Sequence, residues 1–216
     1  DCIIQLDWVK SMAECFSDDI DYIVGHTYVK DRITILNKFQ RLDLLMLLFS
    51  AKSTISLNSP WASAGQNQAY KKTLYNKLGG FKSIASYLQG DDTLFLQLAI
   101  KNGAVVTFNE SPKSYVISRT ELSWKSLLLQ RGRWSGDGNV MWKFNKQFYL
   151  ALIATWMMSI GIIGLLVNNH YLISLLILML KIILEINFYT IGMIKFQHPI
   201  KYFDFIIWFL IHPFYL

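Results

Sequence analysis

Gly90-Asp91-Asp92-Thr93-Leu94-Phe95-Leu96-Gln97-Leu98-Ala99-Ile100-Lys101 sets two adjacent carboxylates at the head of an apolar run. Leu94, Phe95, Leu98 and Ala99 recur at helical spacing, Gln97 and Lys101 face away, and Asn102-Gly103 supplies a stop. The two aspartates therefore stand at a helix N-terminus, where unpaired backbone N–H groups favour negative charge. One of them is expected to cap the helix. The other needs a further reason, because adjacent carboxylates repel unless a cation, a metal or a substrate proton belongs nearby. The same tripeptide occurs in RNA-dependent polymerases, in a tight turn between two strands. The helical period after Asp92 argues against that reading.

Downstream, Ser123-Trp124-Lys125-Ser126-Leu127-Leu128-Leu129 leads into Gln130-Arg131-Gly132-Arg133-Trp134. Two arginines around a glycine can fork onto phosphate oxygens, and Gly132 leaves room for close approach. Trp134 offers a flat apolar face on which a sugar ring can stack. An interfacial amphipathic helix, with its arginines and tryptophan at lipid headgroups, is the alternative for this segment taken alone.

An apolar region begins soon after. Residues 148–167 contain no charged side chain, and at about 1.5 Å per residue such a run reaches the roughly 30 Å of bilayer hydrocarbon. Residues 171–194 are as apolar but carry Lys181 and Glu185, which lie four apart on one helix face and can pair inside a bundle. A third apolar stretch starts near Phe203. The expected division is a soluble part, residues 1–147, and a membrane part, residues 148–216. Lys125, Arg131, Arg133, Lys143 and Lys146 precede the first span and Lys195 and Lys201 follow the second, whereas the turn Asn168-Asn169-His170 has neither Lys nor Arg. By the positive-inside rule the soluble part is cytoplasmic. A hairpin of two helices buried in a soluble core would waste an unbroken apolar run of that length.

The 216 residues suffice for one ordinary domain plus this appendage, in which the apolar residues (53% of the whole) are concentrated. The net charge of +6 is densest just ahead of the first span, which favours anionic headgroups and a phosphorylated substrate. No basic stripe with interleaved aromatics is present, so nucleic acid is not an expected partner. Cys2 and Cys15 lack metal-ligand spacing and read as reduced thiols. The soluble part alternates: a helix over 8–16, a strand over 22–25, a helix over 36–52, a loop from Ser59 to Gln66, and a helix capped by Asn67 and ended by Gly79-Gly80. Strands follow at 104–108 and 115–117. The patch Leu44 to Phe49 is too short to span a bilayer and is either core or an in-plane helix. Asp1-Cys2-Ile3-Ile4 reads like the end of a buried strand already in progress, so the chain is expected to be a segment of a longer protein.

Asp1 with Cys2, Gly65-Gln66-Asn67-Gln68-Ala69, Gly79-Gly80-Phe81, Gly90-Asp91-Asp92, Ser123-Trp124 and Gln130-Arg131-Gly132-Arg133-Trp134 together resemble the membrane-embedded family 2 glycosyltransferases, the group of cellulose, chitin and hyaluronan synthases. The resemblance spans most of residues 1–147, in the family's order. It implies an α/β fold: a partial GT-A unit, a Rossmann-like mixed sheet with flanking helices, followed by interfacial and transmembrane α-helices. It also implies an inverting transfer of a sugar from a nucleotide-sugar donor to a saccharide or lipid-linked acceptor at the bilayer, in a bacterial-type inner (plasma) membrane. Asp92 corresponds to the general base, with Asp91 as cap and support. Gln130, Arg133 and Trp134 correspond to the cluster that holds the donor diphosphate and the acceptor; Arg131, at a position where the family varies, and Asn67, in a neighbouring motif, are expected to join them in binding donor or acceptor. Asp1 corresponds to the last aspartate of a motif that binds Mg or Mn. Because the family's nucleotide-binding half precedes that motif, the 216-residue piece is expected not to turn over alone. The other class of function to weigh is a non-catalytic membrane scaffold that keeps the fold.

Overall fold

Tyr22-Ile23-Val24-Gly25 forms a strand, β2, buried along its whole length. β-Branched and aromatic side chains suit a pleated surface covered on both faces, which is why this run is apolar without alternation. In the computed structural model, which describes residues 2–87 and 90–215, β2 is the centre of a three-stranded sheet. β4 (Gln68–Tyr70) pairs with it antiparallel and β5 (Val106–Asn109) parallel, with Tyr22 opposite both Tyr70 and Val106. After Gly25 the chain passes through His26 into β3 (Thr27–Val29), which belongs to a second sheet ordered β1-β6-β3. There β6 (Val116–Ser118) runs parallel to β3 and antiparallel to β1 (Cys2–Ile4). β1 is indeed a strand, but an exposed one: among the described residues it lies at the sheet edge, with Ile3 and Ile4 more than half exposed.

Helices flank both sheets. α1 (Trp8–Cys15) and α3 (Lys72–Lys77) are short, α4 (Thr93–Lys101) follows the aspartates, and α2 (Ile35–Ser56) is long. Thr34 caps α2 by accepting from the Asn37 N–H at 3.2 Å. Phe39, Leu42, Leu45, Met46 and Phe49 of α2 belong to the main core, and Leu44 and Leu48 pack with Val29 on another side. The Leu44 to Phe49 patch is therefore core, with Leu47 as its one exposed member. The helix expected from Asn67 to Leu78 is replaced by β4 and the short α3, because pairing with β2 outweighs weak local preference at Gln68 to Tyr70. Gly79 and Gly80 end α3 with φ of 72° and 65°.

Four longer helices complete the chain: α5 (Trp124–Phe144), α6 (Lys146–Val167), α7 (Tyr171–Lys195) and α8 (Tyr202–Tyr215). Asn145 caps α6 by accepting from the Phe148 N–H at 3.0 Å, and α6 and α7 form a hairpin about residues 168–170. No residue of α6 is buried, and most of the first half of α7 is exposed as well. These two helices are long and apolar enough to cross a membrane, and the most apolar stretch of each is almost wholly unburied. The far end of α7 does enter the core, where Tyr189, Met193 and Phe196 pack against α2. Gly192 lets the two helices approach closely there: a Cβ would lie 3.1 Å from the Phe49 ring, a tight contact. Lys181 and Glu185 form the expected ion pair. Small mixed sheets with flanking helices, followed by apolar helices, are the architecture expected of a partial GT-A unit.

Candidate active site

The head of α4 is held by backbone rather than by charge. Gly90 has φ of 127° and a Cβ there would lie 2.5 Å from the Leu94 side chain, so only glycine fits before the two aspartates. The cap is Asp92 rather than Asp91: its Oδ1 accepts from the Thr93 N–H, and its Oδ2 accepts from the Gly65 N–H at 3.1 Å. The Thr93 hydroxyl donates to the Ser63 carbonyl at 3.1 Å, fastening residues 63–65 to the helix. Burial pushes the Asp92 carboxyl above the ordinary carboxylate range, outweighing the two N–H donors, and the Asp91 charge adds to the rise. Each carboxylate oxygen has a second lone pair, so Asp92 still has room to accept a proton. Asp91 is exposed, and its carbonyl accepts from Gln68 Nε2 at 3.2 Å. Gln68 in turn accepts from the Tyr22 and Ser63 hydroxyls at 2.5 and 2.7 Å, so the site is tied directly to the central strand.

Leu94, Phe95, Leu96 and Ala99 anchor α4 without measurable exposure, and Phe95 lies 4.9 Å from the Tyr70 ring and 5.1 Å from the Phe81 ring. Gln97, expected to face away, is buried. Its amide donates to the Pro60 and Trp61 carbonyls and its oxygen accepts from Asn145, because the loop before β4 and the end of α5 cover that face.

Gln130 to Trp134 lies on α5, and helix geometry divides its residues. Arg131 and Arg133 are two apart, hence about 200° apart around the axis, and face different sides of α5. Arg131 turns inward and pairs with Asp43 of α2 at 2.7 Å, and its guanidinium lies 4.0 Å from the centre of the Trp134 ring. Arg133 is exposed. Gln130 donates to Glu121 at 3.0 Å. The hydrogen bonds and ion pairs of the described residues do not join this cluster to Asp91 and Asp92. The two groups share a unit through the packing of α4 on α5.

Asn67 is set apart from both groups. It is buried, with its oxygen accepting from the Trp8 indole at 3.0 Å and its nitrogen donating to the His26 and Ser114 carbonyls at 2.8 Å each. Those bonds use its amide to lock α1 and the two sheets together. Gly25 makes room for it, since a Cβ there would meet the Asn67 side chain at 2.6 Å.

Asp1, the expected metal ligand, lies outside the described residues. Among the described residues no three His, Cys, Asp or Glu side chains come together. Asp92 faces two N–H donors and Asp91 points to solvent, so these carboxylates do not by themselves make a set fit to hold a divalent cation.

Asp43 and the pair His26 and His198 were not singled out in the sequence. A carboxylate inside Leu42-Asp43-Leu44-Leu45-Met46 is a usable signal, because a charge in such a run needs a buried partner. The histidines, 172 positions apart, carry no local signal.

No curated protein matches the chain. The model of the family described as Glycosyl transferase family group 2 matches residues 4–216, both sheets and all eight helices included apart from the first two residues of β1. By a match of that extent the chain belongs to the family 2 glycosyltransferases, and the Asp92 site sits in a glycosyl-transfer domain.

Proposed function

We propose that the protein is an inverting glycosyltransferase that moves a sugar from a nucleotide-sugar donor to a saccharide or lipid-linked acceptor at the cytoplasmic face of a membrane. The observation that carries the reading is Asp92, a largely buried carboxylate of raised basicity at the head of α4. A base of that kind holds a proton more readily than an ordinary aspartate, which suits it to take one from a hydroxyl. Asp92 takes the proton of an acceptor hydroxyl as that oxygen forms a bond to the anomeric carbon. The bond from that carbon to the diphosphate breaks on the opposite side, and its electron pair leaves with the nucleoside diphosphate. Arg133 offsets the charge that collects there, Gln130 helps to orient the diphosphate, and Trp134 stacks against the acceptor sugar. Asp91 raises the basicity of its neighbour. A divalent cation, Mg or Mn, with Asp1 among its ligands, would further offset the charge of the leaving diphosphate.

The exposed apolar surface of α6 and α7 supports a bilayer as their surroundings. The basic residues before α6 and after α7, against the uncharged Asn168-Asn169 turn, support a cytoplasmic site. The test offers labelled UDP-glucose, UDP-N-acetylglucosamine and GDP-mannose, with Mg or Mn, to membranes carrying the protein expressed from its gene. Label passing into a polymer or an organic-soluble glycolipid, above membranes lacking the protein, is expected with one of them. No incorporation from any nucleotide sugar would overturn the proposal.

A further inference from the structure

Asp43 lies on α2, in the sheet-facing unit, yet its two oxygens serve other elements. Oδ2 pairs with Arg131 of α5 at 2.7 Å, and Oδ1 accepts from the Trp208 indole of α8 at 3.4 Å. Asp43 is 3% exposed, and a carboxylate so buried is stabilised only by partners of this kind. The Nε and Nη1 atoms of Arg131 are buried without a hydrogen-bond partner among the described residues, so Asp43 is its charge partner on the protein side. The face of that guanidinium carries the Trp134 ring at 4.0 Å. Trp208 is itself buried, packed on Phe205 and on His212 at a ring separation of 4.3 Å.

We propose that Asp43 is a positioning residue for sugar transfer: it fixes Arg131 as the platform that orients Trp134, and through Trp208 it ties that orientation to the seating of α8. The inference rests on the proposed function only in giving Trp134 the acceptor sugar. The physical arrangement explains why Arg131 and Arg133 have different work although they flank one glycine. Arg131 is spent inside the protein, and a planar cation bound edge-on by a carboxylate presents its flat face to an aromatic ring. Misplacing a substrate-positioning group by about 1 Å costs on the order of 100-fold in rate.

The test uses the full protein in membranes with Asp43→Asn, Asp43→Glu and Arg131→Lys. Two readouts are taken. The first is acrylamide quenching assigned to Trp134, as the difference between each protein and the same protein carrying Trp134→Phe. The second is kcat and KM for whichever of UDP-glucose, UDP-N-acetylglucosamine or GDP-mannose is turned over. Asp43→Asn is expected to raise Trp134 quenching and lower kcat about tenfold, with the nucleotide-sugar KM within about twofold. Asp43→Glu is expected to restore most of both. Arg131→Lys keeps the ion pair but lacks the planar face, and is expected to reproduce the Asn variant with unchanged thermal stability. Unchanged Trp134 quenching in Arg131→Lys and Asp43→Asn overturns the inference, as does an Asp43→Asn loss that the Glu variant fails to restore. Should Asp43→Asn not fold, Arg131→Lys alone decides. If the unsubstituted protein transfers no sugar, the proposed function fails, and quenching still decides whether Asp43 positions Trp134.

Discussion

The Gly65 N–H donates to Oδ2 of Asp92 at 3.1 Å, joining the loop before β4 to the head of α4. That contact fixes where the carboxylate points. Burial keeps it basic even though the contact itself pulls its pKa down.

The raised pKa places the acid limb of the pH–rate profile above the usual carboxylate range, because transfer needs Asp92 unprotonated. Asp91 contributes to the rise by like-charge repulsion, so Asp91→Asn should lower the Asp92 pKa and move the acid limb to lower pH. Profiles of kcat/KM for the two proteins check this. A limb that stays in place or moves upward contradicts it.

Asn67 is expected to matter for folding before it matters for chemistry. Asn67→Ala removes three hydrogen bonds, two of them buried, and leaves the His26 and Ser114 carbonyls without that partner, at a cost of about 2–4 kcal/mol. Gly25→Ala should be comparably destabilising, since its Cβ would meet the same side chain. Thermal unfolding in detergent measures both. Asn67→Ala with native stability and impaired nucleotide binding would restore a direct binding role.

His26 and His198 lie 2.9 Å apart, Nε2 to Nε2, where the β2–β3 junction meets the segment after α7. Burial holds both below the ordinary histidine range, His198 at about 4, with Arg41 adding to its depression. The unfolded chain therefore binds protons that the folded chain does not, and stability falls as pH drops from about 6.5 towards the folded pKa values. The melting temperature should decline across that window, and His198→Asn should flatten the decline. An equal decline in the variant would contradict the assignment.

Arg133 is exposed on α5 whereas Arg131 is held by Asp43. Arg133→Ala is accordingly expected to weaken UDP binding about tenfold with little change in melting temperature, in keeping with a lost charge-assisted contact to phosphate. Equal UDP affinity in the variant would remove Arg133 from the diphosphate role.

Periodicity made the strand at Tyr22 to Gly25, α4 and the apolar helices legible, because each is decided by local pattern. Residues 67–70 have no such local signal, since the hydrogen bonds that make β4 come from Tyr22 to Val24, far away in sequence. The candidate site was legible to the same extent. Gly90-Asp91-Asp92 announced a helix head, but which aspartate caps it depends on the Gly65 and Thr93 amides. Gln130 to Trp134 announced basic and aromatic chemistry, while the burial of Arg131 depends on Asp43, 88 positions earlier in the chain.

The central claim, that Asp92 is the base of a sugar transfer, is tested most directly by Asp92→Asn in membranes carrying the full protein, with folding checked by thermal unfolding. Single-turnover transfer from the nucleotide sugar that the wild type uses should fall by about 100-fold or more, with nucleotide-sugar binding retained. Near-normal transfer by a folded Asp92→Asn protein would contradict the account.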